Sequence, residues 1–230
     1  SPFESDAPPA AVDGGPGGSA DGGSSADSAT DARAVDSGLK DCQVFEQDFE
    51  KPAAKPWTGA IEPTGEQKHL GANAGKYVGN AAKLATLDVS GDYTHVDVEY
   101  WIWLRSVSDY AEVGCNVNLD SGAVGSASIF VSRNATQLVF AGELPDESSV
   151  GSAYVDLPQA WTKVSLSLDL EGGKLSYAAS DGKTTFQSDK QAPPGFVPSS
   201  VSVKCGIVFV KGGATADLYL DDAKVRVCRR

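Results

Sequence analysis

The sequence predicts an all-β protein, an antiparallel two-sheet β-sandwich preceded by a disordered N-terminal tail. Three observations predict it. The stretch Thr94–Leu104, THVDVEYWIWL, alternates apolar and polar side chains over eleven residues, a period of two that turns one face of a strand to a core. Along the chain there are about a dozen strand-like runs at short spacing, bounded by Gly, Pro, Asn and Asp. No stretch carries the apolar spacing of an amphipathic helix, which leaves sheet-on-sheet packing as the way to build a core.

The tail comes first. Residues 1–41 are dominated by Ser, Ala, Gly, Asp and Pro, and hold eight acids against two bases, half of the net charge of -12. Such a segment repels itself and has too little apolar surface to fold, so it reads as a disordered linker. It resembles the acidic spacers behind the lipid-anchored N-terminus of bacterial surface lipoproteins. That resemblance implies an extracellular or cell-surface location and an anchor upstream of Ser1. The chain has no Met and opens on Ser1, which fits a removed leader. No apolar run approaches the ~18 residues of a membrane span. The acidity argues against nucleic acid or an anionic membrane as partner.

Residues 42–230 are expected to form the sandwich. Val44–Glu50 reads as a first strand with Phe45 and Phe49 on one face. Residues 51–82, rich in Pro, Gly, Ala and Asn, read as a long excursion with an extended piece at Lys76–Val78. Lys83–Val89 precedes Thr94–Leu104, and after a loop at 105–111 come Glu112–Leu119, Ser128–Ser132, Thr136–Ala141, Ala153–Leu157 and Trp161–Leu170. Gly172-Gly173 and Asp181-Gly182 then mark tight hairpins, because both supply the positive φ such turns require. QAPPGFVPSS at 191–200 is a rigid loop. Val201–Val210, Ala216–Leu220 and Lys224–Cys228 close the set.

The cysteines are Cys42, Cys115, Cys205 and Cys228. No C-x-x-C pair is present, so zinc or thioredoxin-type chemistry is not indicated. An even count in an exported chain favours two disulfides, with three connectivities open. The favoured one is Cys42–Cys228, bracketing the folded part, with Cys115–Cys205 joining two core-facing runs across the sheets. The alternative for the second pair is two free, buried thiols.

The outer face of Thr94–Leu104 carries Glu99, Trp101 and Trp103. Side chains two apart on a strand stand about 7 Å apart on one side, so the tryptophans can form a flat strip for the C–H face of a pyranose. If loop 105–111 makes a hairpin, Asn116 falls beside Trp101 and Asn118 beside Glu99, with Gly114 leaving room at Trp103. The alternative is that the 51–82 excursion covers both tryptophans as a second small core.

Three further pieces, FEQDFE at 45–50, WTKVSLSLDLEGGKLSYAASDGKTTF at 161–186 and LYLDDAKVRV at 218–227, taken in this order, resemble the concanavalin A-like or laminin G-like jelly roll and related carbohydrate-binding sandwiches. The resemblance implies a jelly roll with one curved face and leaves the activity open. Within it, Glu46, Asp48 and Glu50 fit the E-x-D-x-E signature of laminarinase-like glycoside hydrolases, where two carboxylates act as nucleophile and acid/base. Here the motif lies on the first strand rather than inside the sheet, which favours an acidic edge that deters pairing. Related sandwiches also hold a structural Ca²⁺ between first and last strands, for which Glu50, Asp221 and Asp222 are the oxygen donors on offer; capping of loop N–H groups is the alternative.

His69 and His95 are the only histidines, and no G-x-S-x-G, H-E-x-x-H or phosphate loop occurs. His95 beside Asp97 reads as a surface pair, and Asn134-Ala135-Thr136 as a formal glycosylation sequon. The sequence therefore points to a non-catalytic, secreted or surface binding module for a polysaccharide or a surface protein. A glycoside hydrolase and a structural or adhesion domain without a sugar ligand are the alternatives.

Overall fold

In a computed structural model, residues 38–133, 137–155 and 160–230 are described, and they build two antiparallel sheets. The N-terminal linker up to residue 37, the sequon at Asn134 and the end of the expected strand Ala153–Leu157 lie outside the described residues.

Across the first sheet the order is Thr185–Gln191 (β13), Lys174–Ser180 (β12), Thr162–Glu171 (β11), His95–Val107 (β6), Ala216–Arg229 (β15), Ala74–Gly79 (β4) and Pro63–Thr64 (β3). Lys40–Gln47 (β1) pairs with the second half of β15, beside the stretch that β4 leaves free. The second sheet runs Ser149–Val155 (β10), Leu138–Glu143 (β9), Gly125–Arg133 (β8), Ala111–Ser121 (β7), Ser200–Val210 (β14), Lys83–Ser90 (β5) and Thr58–Gly59 (β2).

The period of two sets which side chains meet. On β6, Val96, Val98, Tyr100, Ile102 and Leu104 are buried. They face Val113, Val117 and Leu119 of β7 and Val201, Val203 and Ile207 of β14, all fully buried. Each such side chain contributes about 1.5–3 kcal/mol over exposure. Trp57 and Phe49, 2% and 0% exposed, join the same core from the chain around the 51–82 excursion. The two glycine-bearing hairpins form as the dipeptides require. Gly172 and Gly173 take φ of 57° and 79° between β11 and β12. Asp181 accepts the Lys183 and Thr184 N–H groups between β12 and β13.

Both disulfides join directly neighbouring strands. Cys42 of β1 bonds Cys228 of β15, tying first strand to last. Cys115 and Cys205 are register partners on β7 and β14. That corrects the expected route of the second bridge: it lies within one sheet rather than between the two.

Three further expectations are corrected. β6 and β7 are not a hairpin. The link after Val107 carries the chain from one sheet to the other, so β6 pairs with β11 and β15 while β7 pairs with β8 and β14. Gly114 therefore makes room in the core, not beside Trp103: a Cβ there would stand 2.5 Å from the Tyr100 hydroxyl. The two expected closing strands are one long β15, interrupted by a bulge between Asp221 and Lys224 where Asp222 takes φ 49°. Finally, β1 ends at Gln47, and Phe49 has φ 55°, so the expected strand does not continue to Glu50.

Candidate functional site

The outer face of the first sheet is built from the polar positions of β11, β6 and β15. Register places Lys163, Trp101 and Asp221 in one row, Ser165, Glu99 and Lys224 in the next, and Ser167, Asp97 and Arg226 beyond. Trp161, just before β11, meets Trp103 edge to face with ring centroids 6.0 Å apart. Trp101, Trp103 and Trp161 are all part-exposed on this face.

The long excursion sends one side chain onto them. His69 stacks on Trp101 at 3.7 Å and 18°, and meets Trp161 at 5.9 Å. Its position is fixed by the bulge in β15. Asp221, 1% exposed, accepts the N–H groups of His69 at 3.1 Å and Leu70 at 3.3 Å. Asp222 approaches the His69 Nδ1 at 3.4 Å. Burial pushes the Asp221 carboxyl up, against the loop N–H groups that pull it down. The excursion thus covers one ring and leaves the strip part-exposed, which lies between the open platform and the second small core.

Beside the strip, Glu46, Asp48, Asp222 and Lys224 line a cleft of about 260 Å³. Glu46 pairs with Lys224 at 3.3 Å, and Glu99 with Lys163 at 3.3 Å. At the far end of the same face, Ser167, Asp169, Ser176, Ala178, Gln187 and Asp189 line a second cleft of about 400 Å³. Between the two sits an ionic network. His95 bonds Asp169 at 3.0 Å and Asp97 at 2.9 Å. Arg226 donates to Asp97 at 2.6 Å, and Arg230 to Asp169 at 3.0 Å. Burial alone would lower the His95 pKa; the two carboxylates outweigh it and raise it to about 9. His95 and Arg226 hold the Asp97 carboxyl well below the usual range despite its burial. A charged imidazolium locked between two carboxylates is a brace for β6, β11 and the end of β15, and the reading of His95 as a simple surface pair is extended accordingly.

The carboxylates of the expected E-x-D-x-E run are turned apart by the end of β1. Because β1 stops at Gln47, Glu46, Asp48 and Glu50 do not share a strand face. Asp48 accepts the Glu50 N–H at 3.1 Å, and Glu50 turns to accept the N–H groups of Ala72 at 2.8 Å and Asn73 at 3.2 Å. Those N–H groups draw the Glu50 pKa down. Among the described residues no group of three or more His, Cys, Asp or Glu side chains is gathered to hold a metal. Of the donors expected for Ca²⁺, Glu50 accepts the Ala72 and Asn73 N–H groups and Asp221 those of His69 and Leu70, the capping role named as the alternative. The bulge also brings Asp221 and Asp222 to the same loop, where an unbroken strand would send them to opposite faces.

Asn116 and Asn118 are not part of this site. They lie on β7, on the outer face of the second sheet, as the sheet change after β6 dictates. Trp161 and His69 also belong to this face, beyond the residues that the sequence singles out. The run Trp161, Lys163, Ser165, Ser167, Asp169 alternates as an outward face and carries the signal for the first. Nothing local marks His69, whose place depends on contacts more than 150 residues distant in sequence, at Asp221 and Asp222.

No protein-family profile matches the sequence, and comparison with curated proteins finds no match. Solved structures do share the architecture. A lectin from Bauhinia forficata in complex with GalNAc superposes with a TM-score of 0.53 at 8% identity, over 81% of this chain and 98% of the lectin. The cellulose induced protein Cip1 gives 0.51 at 16% identity, over 79% and 96%. The chain shares the jelly-roll β-sandwich fold of these structures. In this jelly roll the aromatic strip and both clefts share one sheet face, while the second sheet turns its own polar face to the opposite side.

Proposed function

We propose that this jelly roll is a non-catalytic, secreted or cell-surface module that binds a glycan along the outer face of its first sheet. The observation that carries the reading is the cluster of Trp101, Trp103 and Trp161, part-exposed together and flanked by Glu99 and the cleft of Glu46, Asp48 and Asp222. Aromatic rings take the C–H face of a pyranose, and carboxylates accept its hydroxyls. Part-exposed tryptophans on a sheet face mark a binding surface more than an ordinary patch. The lectin resembling this fold is described with GalNAc bound, which supports the same class of ligand here. Two disulfides suit an oxidising compartment, and a lipid anchor ahead of Ser1 remains part of the proposal. Among the described residues no helix is long and apolar enough to cross a membrane. Affinity electrophoresis of wild type and Trp103→Ala through gels of soluble polysaccharides tests the reading. Retardation that Trp103→Ala removes supports it; free migration of wild type through a broad panel sinks it.

A further inference from the structure

We propose that the second sheet carries a separate pocket for one neutral, hexose-sized polyol, formed by Glu112, Asn116, Glu143 and Lys204 over Phe130. These residues line a cavity of about 180 Å³ on the outer face of β7, β8, β9 and β14, room for one small polar molecule and too little for a chain of sugars. Register builds it. Lys204 is the direct cross-strand partner of Asn116, and Asn118, Ser128 and Glu143 follow one another across β7, β8 and β9.

The polar groups of this pocket are incompletely used. Asn116 is 6% exposed. Its Nδ2 donates to Glu112 Oε2 at 2.8 Å, which fixes the amide, while its Oδ1 is buried with no donor from the described residues. A buried acceptor left in that state costs about 1–3 kcal/mol, and a bound hydroxyl removes the cost. Burial pushes both Glu112 and Glu143 up, and Glu143 rises further because Glu112 and Glu147 are near. These carboxylates therefore sit in a poorly solvated wall that gains from donors.

The charge pattern selects the ligand class. Two carboxylates repel an anion, and Lys204 beside Asn116 offsets part of their pull on a cation. Hydroxyls satisfy both signs, since they donate to Asn116 Oδ1 and Glu143 and accept from Lys204 Nζ. Phe130, 7% exposed, and Val208 offer an apolar floor for C–H groups. Nothing in this pocket depends on the tryptophan strip, which lies on the other sheet. Two sites on opposite faces let one module bridge two glycan segments.

The test is an ¹H–¹⁵N NMR titration of the folded protein with glucose, galactose, mannose and xylose in turn, at millimolar concentrations suited to weak binding. The expected result is movement of the Asn116 side-chain amide and of backbone amides in β7 and β14 with at least one sugar. That movement persists in the Trp101→Ala/Trp103→Ala variant and weakens by about tenfold in apparent affinity in Glu143→Gln. Glu143→Gln keeps the shape, and its unchanged spectrum elsewhere confirms the fold. Still resonances in β7 and β14 with all four sugars overturn the proposal, as does movement that Trp101→Ala/Trp103→Ala removes and Glu143→Gln leaves alone.

Discussion

Replacing His95 by Gln probes the brace beneath the candidate site. The imidazole, 12% exposed, lies 2.9 Å from Asp97 and 3.0 Å from Asp169. Burial opposes its charge, yet the two carboxylates raise its pKa from 6.5 to about 9. That rise corresponds to roughly 3 kcal/mol of preference for the charged form in the folded state. Solvent screening at the rim of the sheet reduces the expected net effect to about 2 kcal/mol. The folded pKa is the raised one, so the stabilisation is complete below the unfolded value of 6.5 and is lost as pH rises through about 9. Urea unfolding of wild type and His95→Gln therefore gives a difference of about 2 kcal/mol near pH 6 that shrinks towards zero near pH 10. A difference that is the same at both pH values assigns the loss to packing rather than to charge and rules out the ionic brace. Asp97 and Asp169 act with the opposite sign. Their folded values are depressed, so their contribution is present above the unfolded value of about 4 and is lost as pH falls further.

The remaining predictions concern the loop and the bridges. Asp221→Ala removes the acceptor of the His69 and Leu70 N–H groups; it is expected to cost about 2 kcal/mol and to speed amide hydrogen exchange across residues 69–73, whereas unchanged exchange there contradicts the cap. Because Glu50 and Asp221 are committed to backbone N–H groups, EDTA is expected to leave the melting temperature of wild type unchanged, and a clear drop would restore Ca²⁺ at the junction of β1 and β15. His69→Ala uncovers the face of Trp101. With a stacking contact of about 1 kcal/mol removed, glycan affinity is expected to rise about fivefold, and weaker binding would show that His69 belongs to the ligand surface. The Cys42→Ser/Cys228→Ser pair, which opens a sequence separation of 186 residues, is expected to cost about 3–5 kcal/mol in urea unfolding; a loss below 1 kcal/mol or so would deny the bridge a role in stability.

Much of the fold is legible residue by residue. Period two alone separates Val96, Val98, Tyr100, Ile102 and Leu104 from the outer face of β6, and burial follows that division. The same alternation says nothing about which strand lies alongside, and this is why Asn116 and Asn118 were expected beside the tryptophans. A three-residue link from Val107 to Ala111 serves equally for a hairpin and for a step between sheets. Cys115 and Cys205 illustrate the same limit: both face the core, and only the pairing of β7 with β14 brings them together. The acidic pair Asp221-Asp222 looked like the end of one strand and the approach to another. It is a bulge inside a single strand, and a run of two Asp where neither favours a sheet interior was the local sign of it. Glu46–Glu50 matched a catalytic pattern that needs five residues in extended conformation, and the positive φ at Phe49 breaks it.

The tryptophans on the first sheet are proposed to hold a glycan. Isothermal titration of wild type and the Trp101→Ala/Trp103→Ala variant with a soluble polysaccharide that retards wild type in affinity gels tests it most directly, with circular dichroism confirming that both are folded. Saturable binding to wild type is expected, with a loss of at least tenfold in affinity, about 1.4 kcal/mol or more, in the variant. Equal affinity of the two folded proteins would contradict it and move the site off the face of β6.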